Sequence, residues 1–275
     1  MRVALPVGLL FGALMTACSG CGGSEQKAAA PPAPAPALSA TQVGTITDGD
    51  DDGTESGNEG DDGAPLPAGP AVTASAKLGS AALLAEADRQ LAAMSSTVYS
   101  HHTMVDEGRG SFEYDCSGFV DYSLSRATPD AFADLRNGTV KRPLAKHFVS
   151  FASAIPAAGR SGRWHRVMRA TDLVPGDIVA WLKPADSTSK NTGHVMIVHG
   201  APSRLPAHAD SIVVPIIDST AMRHGAGDSR AVRASGLGTG SIVLVVDGTG
   251  APVHFNWTRG KSREHTSSIA LAHLE

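Results

Sequence analysis

Cys116 lies in the stretch FEYDCSGFVDYSL, residues 112–124, and is the residue of this sequence best suited to covalent chemistry. It is the only cysteine after Cys21, so the later part of the chain can form no internal disulfide. A thiol attacks as a thiolate, and the start of a helix lowers its pKa through free N–H groups and the helix dipole. Asp115 is placed to cap such a helix. We therefore predict a nucleophile at a helix N-terminus; the alternative is a small buried apolar residue.

A nucleophilic thiol needs a base, and His194 in TGHVMIV is the best-placed histidine. It follows a glycine and opens a β-branched run, so its side chain is expected at the rim of a sheet. His199, five residues later, is expected on the opposite side of that strand. Surface or structural roles are expected for six other histidines: His101, His102, His208, His254, His265 and His273. No histidine pair has the spacing of a zinc-binding helix, so we predict neither a metal site nor a cofactor.

A third polar group should orient the imidazole, and Asp218 directly follows the apolar run VVPII. Two explanations for an acid at this position stay open. It accepts a hydrogen bond from Nδ1–H of the base, or it starts an Asx turn with Ser219 and Thr220. His224, in MRHGAGDSR, is the alternative third member of the site.

Three motifs, YDCSGFV, LVPGDIVAW and GHVMIVHG, follow one another in this order. Together they resemble the NlpC-type cell-wall peptidases, a papain-like superfamily of cysteine peptidases, over roughly residues 85–257. The resemblance implies that Cys116 is the nucleophile and His194 the base, with Asp218 on the following strand as the third residue. It implies a papain-like α+β fold with helices packed on an antiparallel sheet.

The same resemblance implies contacts for the substrate. Tyr114 matches an aromatic residue that stands beside the nucleophile near the oxyanion site. Asp115 and Ser117 match positions that hold the amino end of the substrate, although Asp115 needs no substrate to serve as a helix cap. About forty residues, within 128–170, separate the cysteine helix from PGDIV and exceed the length of compact members.

The implied activity is hydrolysis of peptidoglycan stem peptides by a thiol, most often at the γ-D-glutamyl–diaminopimelate bond. Two alternatives stay open. Acyltransferase or amidase relatives use the same thiol chemistry on lipids or amides, and an apolar groove lined by residues 128–170 would favour them. A catalytically silent wall-binding lipoprotein is the non-enzymatic alternative.

The secondary structure predicted to position these residues changes along the chain from helices to strands. A helix is predicted over residues 80–95, with a serine at its start, and further helices and loops over 128–170. Four β-branched runs are predicted as strands: 178–182, 194–200, 211–218 and 241–257, the last as a hairpin. Pro215 places its strand at an edge or at a bulge. Helices followed by an antiparallel sheet indicate the α+β class.

The N-terminal part of the sequence predicts export and anchoring. Residues 1–17 have the layout of a secretory signal, and LMTAC resembles a bacterial lipobox with Cys18 as the acylated residue; a secreted protein with a Cys18–Cys21 pair is the alternative. Residues 18–76, rich in Pro/Ala and then Asp/Gly, are predicted to be a disordered tether. Residues 77–275 form the predicted catalytic domain. The expected location is the bacterial envelope, on the periplasmic side of the outer membrane.

The charge of the chain is divided between these parts. Residues 1–76 contain nine acidic and two basic residues, whereas residues 77–275 contain 18 acidic and 21 basic ones. The net charge of −4 therefore comes from the tether. The catalytic domain is mildly basic without dense Lys/Arg clusters, which argues against a nucleic-acid partner. Peptidoglycan and, through Cys18, the membrane are the predicted partners; the sequence predicts no oligomeric state.

Overall fold

A computed structural model of the chain describes residues 79–188, 190–206, 208–259 and 264–275. The predicted signal peptide 1–17, the predicted lipidation site Cys18 and the tether 18–76 lie outside the described residues. Among the described residues, no helix has both the length and the apolar character that crossing a bilayer would require.

The described part of the chain forms four α-helices and thirteen β-strands. The helices are α1 Ser80–Ala93, α2 Cys116–Ala127, α3 Pro129–Arg136 and α4 Ala145–Ala154. The strands are β1 Ser96–Val98, β2 Met104–Asp106, β3 Ser111–Glu113, β4 Arg160–Ser161, β5 Trp164–Val167, β6 Ile178–Leu182, β7 Gly193–Val198, β8 Ser203–Leu205, β9 His208–Thr220, β10 Gly236–Val246, β11 Pro252–Asn256, β12 His265–Thr266 and β13 Ile269–Leu274.

Ten strands form one antiparallel sheet in the order β12-β11-β10-β9-β7-β6-β13-β5-β4, with β8 paired to β9. A small second sheet has the order β1-β3-β2, and β1 runs parallel to β3. Helices α1, α2 and α4 contact strands of the large sheet. This architecture is α+β, as the sequence predicted.

Both faces of the large sheet are covered by apolar side chains. The face toward the helices carries Val195 and Ile197 of β7, which pack with Phe119 and Val120 of α2. Met196 and Val198, the alternate residues of β7, belong to a second buried cluster. This alternation follows from the two-residue period of a strand, and it explains why the strand is apolar without interruption.

The structure differs from three details of the predicted elements. Ser80 is predicted as a cap, but Gly79 holds the N-cap position and the Ser80 hydroxyl instead accepts from Leu274 N–H at 3.0 Å. Part of the predicted helix-and-loop segment forms the hairpin β4–β5, because its edge pairs with β13 near the C-terminus. The sequence pattern within residues 128–170 gives no indication of this pairing, because the partner strand lies near the C-terminus.

Pro215 lies in an interior strand and not at an edge. Its strand β9 pairs with β10 on one side and with β7 and β8 on the other. The Pro215 carbonyl accepts from His199 N–H at 2.9 Å, just after β7 ends. Because the N and O of one strand residue point to the same side, the missing N–H faces the gap between β7 and β8. The ladder with β10 therefore loses no hydrogen bond.

Candidate active site

Helix α2 begins at Cys116, and its start is fixed by its own sequence. Asp115 has extended backbone angles, and its Oδ1 accepts from Gly118 N–H at 2.7 Å, which is the geometry of an N-cap. A Cβ at Gly118 would lie 2.5 Å from Thr103 Oγ1 and 3.1 Å from Tyr114 Cβ, so only glycine fits here. The predicted helix start at the thiol is confirmed.

The Cys116 side chain is buried, and the residue is 6% exposed. Burial raises the pKa of its thiol far above the ordinary value, and the charges of Asp115 and Asp218 raise it further. Backbone N–H groups of Val195 and Ser117 act in the opposite direction. Desolvation thus outweighs the helix N-terminus at this thiol, and the direction of its pKa shift is opposite to the one expected from the sequence.

His194 is the second residue of β7 and lies beside an acid from the neighbouring strand. Its Nε2 is 2.7 Å from Oδ2 of Asp218, in a fully buried pair. Because a carboxylate only accepts, Nε2 carries the proton and Nδ1 is left with the lone pair. The acid thus binds Nε2 and not Nδ1, the nitrogen expected from the sequence.

The thiol of Cys116 lies against the strand that carries His194. Within the described residues no hydrogen bond joins Cys116 to His194; the thiol lies against the N–H of Val195, the residue that follows His194. Burial lowers the pKa of His194, and the positive charges of His224 and Arg230 lower it further, although Asp218 raises it. Both pKa shifts thus favour the uncharged forms, a thiol and a neutral imidazole.

Asp218 has three side-chain partners. They favour the first of the two explanations that the sequence left open, in which the carboxylate accepts a hydrogen bond from the imidazole. Its Oδ2 accepts from His194 and also from Nε2 of His224, at 2.9 Å. Its Oδ1 accepts from Nη2 of Arg230 at 2.6 Å. Burial alone would raise the pKa of this carboxyl, but the two histidines hold it well below its usual value. Both oxygens are thus used by side chains, and Ser219 binds elsewhere.

His224, the alternative third residue, lies behind Asp218. Its ring stacks on Trp257 with centroids 4.2 Å apart, and its Nδ1 is 3.1 Å from the Trp257 carbonyl oxygen. The same indole lies edge-on to the His194 ring, with centroids 4.9 Å apart. The site is therefore walled by an aromatic residue from the segment that follows β11.

Arg230 was not predicted, and it holds the buried acids in place. Its side chain donates to Asp218, to Asp228 at 2.8 Å and to the Gly236 carbonyl at 2.7 Å. The guanidinium is buried, so its charge is compensated by two carboxylates rather than by water. A signal for this arrangement exists in the sequence: the alternating glycines of GLGTGS, 236–241.

Those glycines make room for the loop that carries His224 and Arg230. A Cβ at Gly238 would lie 2.7 Å from Cγ of Arg230. A Cβ at Gly240 would lie 2.8 Å from Cβ of His224. Both contacts are shorter than van der Waals separation. One face of β10 is therefore bare at these positions so that the loop can lie flat against it.

The predicted substrate contacts have other partners in the structure. Tyr114 is fully buried, and its hydroxyl donates to Gln90 of α1 at 3.0 Å, so it is turned away from the thiol. The expectation of an oxyanion-site aromatic at Tyr114 does not fit this position. Tyr99 is the phenol beside the thiol: the charges of Cys116 and Asp115 add to burial in raising its pKa.

Tyr99 reaches the site through the parallel pairing of β1 with β3. The pair Val98↔Glu113 ends that ladder, and Ser100 N–H donates to the Tyr114 carbonyl at 3.3 Å. The residue after β1 is thereby brought level with the residues that lead into α2. A three-residue strand such as β1 has no distinctive sequence pattern, which is why Tyr99 was missed.

Asp115 and Ser117 bind each other and two basic residues. The Ser117 hydroxyl donates to Asp115 Oδ1 at 3.0 Å. Oδ2 of Asp115 accepts from Nη2 of Arg142 at 2.7 Å and lies 3.2 Å from Nδ1 of His101. Burial would raise the Asp115 pKa, but His101 and Arg142 lower it to about 2. A substrate ammonium would have to compete with a resident guanidinium. His101 has the hydrogen-bonded surface role expected from the sequence, and its partner is Asp115.

Three ligand-type atoms of His194, Asp218 and His224 lie within 4.8 Å of one another, close enough to hold a metal ion. The sequence spacing gave no indication of this group, because the three residues lie on two strands and a loop. Arg230 already binds the other oxygen of Asp218, so a cation placed here would face a buried guanidinium charge.

Comparisons with models of known protein families, with curated proteins and with solved structures return no match for this chain.

Proposed function

We propose that the chain is a thiol hydrolase that cleaves peptidoglycan stem peptides, at the γ-D-glutamyl–diaminopimelate bond. One observation carries the proposal: Cys116 begins a helix beside β7, where His194 is held by Asp218 with its Nδ1 free to take a proton. This combination of nucleophile, base and orienting acid is what acyl transfer by a thiol requires.

The chemical steps use these three residues in turn. The S–H proton of Cys116 passes to Nδ1 of His194 as the sulfur bonds to the substrate carbonyl carbon. The tetrahedral intermediate collapses when the C–N bond breaks and His194 protonates the leaving amine. Water then attacks the thioester carbonyl and gives a proton to His194. The C–S bond breaks, His194 returns the proton to the sulfur, and the carboxylic acid product leaves and ionises in solvent.

The raised pKa of the thiol makes substrate binding part of activation. Because both pKa shifts favour the neutral forms, we expect proton transfer from Cys116 to His194 to accompany attack on the bound substrate. The forming oxyanion has two candidate donors, the backbone N–H of Cys116 at the start of α2 and the Tyr99 hydroxyl. Both are proposed to stabilise charge that exists only after proton transfer begins.

The peptidoglycan assignment rests on the resemblance to NlpC-type enzymes and on the N-terminal sequence. A lipidated Cys18 followed by a long tether would hold the enzyme at a membrane and let it reach the wall. The proposed location therefore depends on residues 1–76, whereas the proposed substrate and chemistry depend on the domain that follows them.

The acyltransferase and amidase alternative was linked to an apolar groove formed by residues 128–170. Three large aromatic residues of this segment, Phe132, Phe148 and Trp164, are buried in the core, whereas Met168 is exposed. No observation on this segment favours a lipid substrate over a peptide.

The test compares the full chain with Cys116→Ala and His194→Gln on purified sacculi and defined muropeptides, with products identified by mass spectrometry. The matched control is His199→Gln, because His199 follows the same strand but pairs with Asp88 on the surface. A stem fragment is expected from the parent and the control only, and its mass gives the bond. Equal product from Cys116→Ala would overturn the proposal.

Slow alkylation of Cys116 does not by itself indicate a catalytically inactive protein, because burial of the thiol is enough to slow the reaction. The distinguishing result is its dependence on the base. If iodoacetamide modifies the parent and His194→Gln at the same rate at every pH, and no muropeptide is cut, the non-catalytic wall-binding alternative is supported.

A further inference from the structure

We infer that His224 is an imidazolium at neutral pH and that, through Asp218, it positions His194 as a neutral base. The charge of His224 is independent of the proposed function, whereas its effect on catalysis rests on that function. His224 is a positioning residue, since it contacts Asp218 and not the thiol.

The two ring nitrogens of His224 both face groups that only accept. Nδ1 lies 3.1 Å from the backbone carbonyl of Trp257, and Nε2 lies 2.9 Å from the Asp218 carboxylate. A neutral imidazole has one N–H and would leave one of these contacts without a proton. The side chain is 0% exposed, so water cannot substitute. Both nitrogens therefore carry protons.

The charges around His224 balance when it is a cation. Asp218 on β9 faces Nε2, and Asp228 and Arg230 lie on the loop that carries His224. Arg223, which is half-buried, donates to the Asp228 backbone carbonyl at 3.1 Å. In the fully buried cluster itself, the two carboxylates and one guanidinium leave one negative charge. A proton on His224 cancels it. His194 on β7 faces the cluster with its ring centroid 6.4 Å away, and Gly240 on β10 contributes no charge.

The cluster is neutral when His224 carries its proton. Protonation of His194 as well would therefore add a positive charge that no buried carboxylate compensates. If His194 were also protonated, two imidazoliums and Arg230 would share Asp218 and Asp228 in a space without water. His194 therefore stays neutral, keeps Nε2–H on Asp218 and keeps its Nδ1 lone pair for the thiol proton. The direction of the pKa shifts agrees: Asp218 raises the pKa of His224 despite burial, and burial lowers that of His194.

A divalent metal on the same three atoms is the competing occupant. It would deprotonate Nε2 of both histidines and add two charges where one is needed, beside Arg230. The separations of 2.7 and 2.9 Å between nitrogen and Oδ2 are those of hydrogen bonds. The geometry and the charge balance both favour a proton.

The first test is ¹⁵N NMR of the full chain with labelled histidine, assigned with His224→Gln and His194→Gln. At pH 7, both ring nitrogens of His224 are expected at protonated shifts, and His194 is expected as the Nε2–H tautomer. An unprotonated nitrogen in His224 at pH 7 would overturn the inference. So would stoichiometric metal in the purified protein, or Zn²⁺ displacing both sets of signals.

The second test separates positioning from simple support of the fold. Glutamine at position 224 can still donate to Asp218 but carries no charge. In His224→Gln, kcat/KM on the muropeptide is expected to fall about tenfold, and the acid limb of its pH profile is expected to move to higher pH. An unchanged acid limb with equal stability would contradict the inference.

Failure of the proposed function stays distinguishable from failure of this inference. If no muropeptide is cut, the NMR protonation state still decides the charge of His224. The pH dependence of Cys116 alkylation then replaces the kinetic profile, since it reports the same proton transfer to His194. A His224→Gln alkylation profile identical to that of the parent would show that His224 does not act on the base.

Discussion

The Ser219 hydroxyl donates to the carbonyl oxygen of Tyr114 at 2.6 Å, which ties the end of β9 to the residues that lead into the nucleophile helix. Asp218, one residue earlier, holds the base. The acid and the thiol are therefore set in register by one buried hydrogen bond between segments that are 105 residues apart. Serine at position 219 thus contributes to the geometry of the site.

Replacement of Ser219 by alanine is expected to reduce the free energy of unfolding by about 0.5–1.5 kcal/mol, because the buried Tyr114 carbonyl loses its short hydrogen bond and keeps only the one from Ser100 N–H at 3.3 Å. Urea denaturation of the full chain measures this. Ser150→Ala is the control, since that hydroxyl donates to an exposed local carbonyl and its loss is expected to have little effect. Equal small effects in both would show that the tie contributes no stability.

The Cys116 pKa predicts how the thiol responds to pH and to charge. Since burial, Asp115 and Asp218 raise it, alkylation by iodoacetamide is expected to accelerate only at pH values above those of an ordinary cysteine. Asp115→Asn keeps an oxygen for Gly118 N–H but removes one negative charge, so its alkylation profile is expected to move to lower pH. Asp106→Asn, on an exposed strand, is the control. A shift in the opposite direction would contradict the assigned cause.

Arg230→Lys is expected to be one of the most damaging single changes in the domain. Lysine cannot reproduce the planar set of donors, so Asp218 and Asp228 lose compensation in a buried space. Breaking a buried ion pair costs about 3–5 kcal/mol. Denaturant unfolding is the measurement, with Arg233→Lys on the exposed part of the same loop as the control. A loss below about 1 kcal/mol would be inconsistent with the buried cluster.

The stability of the fold is expected to depend on pH through His224 and Asp218. The pKa of His224 is raised above 6.5 by Asp218, so its stabilising contribution is complete below 6.5 and is lost as pH rises through the raised value. The pKa of Asp218 is held well below 3.8, so its contribution is present above 3.8 and is lost as pH falls through that low value. The difference in unfolding free energy between the parent and His224→Gln should therefore shrink on the alkaline side. If the difference between the two proteins grew with pH, the raised pKa assigned to His224 would be contradicted.

The bare face of β10 predicts a contrast between glycines. Gly238→Ala and Gly240→Ala place a methyl group against Arg230 and His224, so each is expected to cost about 1–3 kcal/mol and to reduce activity. Gly248→Ala has open space around its Cβ and serves as the control. Thermal unfolding of the three variants measures this contrast. If all three unfold at the same temperature, the loop does not lie against β10 as described.

Local sequence was sufficient for the parts of the site that depend on neighbours along the chain. Asp115, Cys116 and Gly118 specify a capped helix start within four residues, and the β-branched runs specify β6, β7, β9 and the β10–β11 hairpin. His194 and Asp218 could be named because each stands at a distinct position of such a run. These predictions needed only capping chemistry and the period of a strand.

Only the tertiary structure determined the protonation states and the hydrogen-bond partners of the site residues. Whether Cys116 has a low or high pKa depends on how much water surrounds it, and burial reversed the effect expected from the helix start. The nitrogen of His194 that Asp218 binds, the arrangement of His224 behind it and the clamp from Arg230 arise from contacts between distant segments. Sequence determined which groups capable of chemistry exist; desolvation and long-range packing determined their protonation.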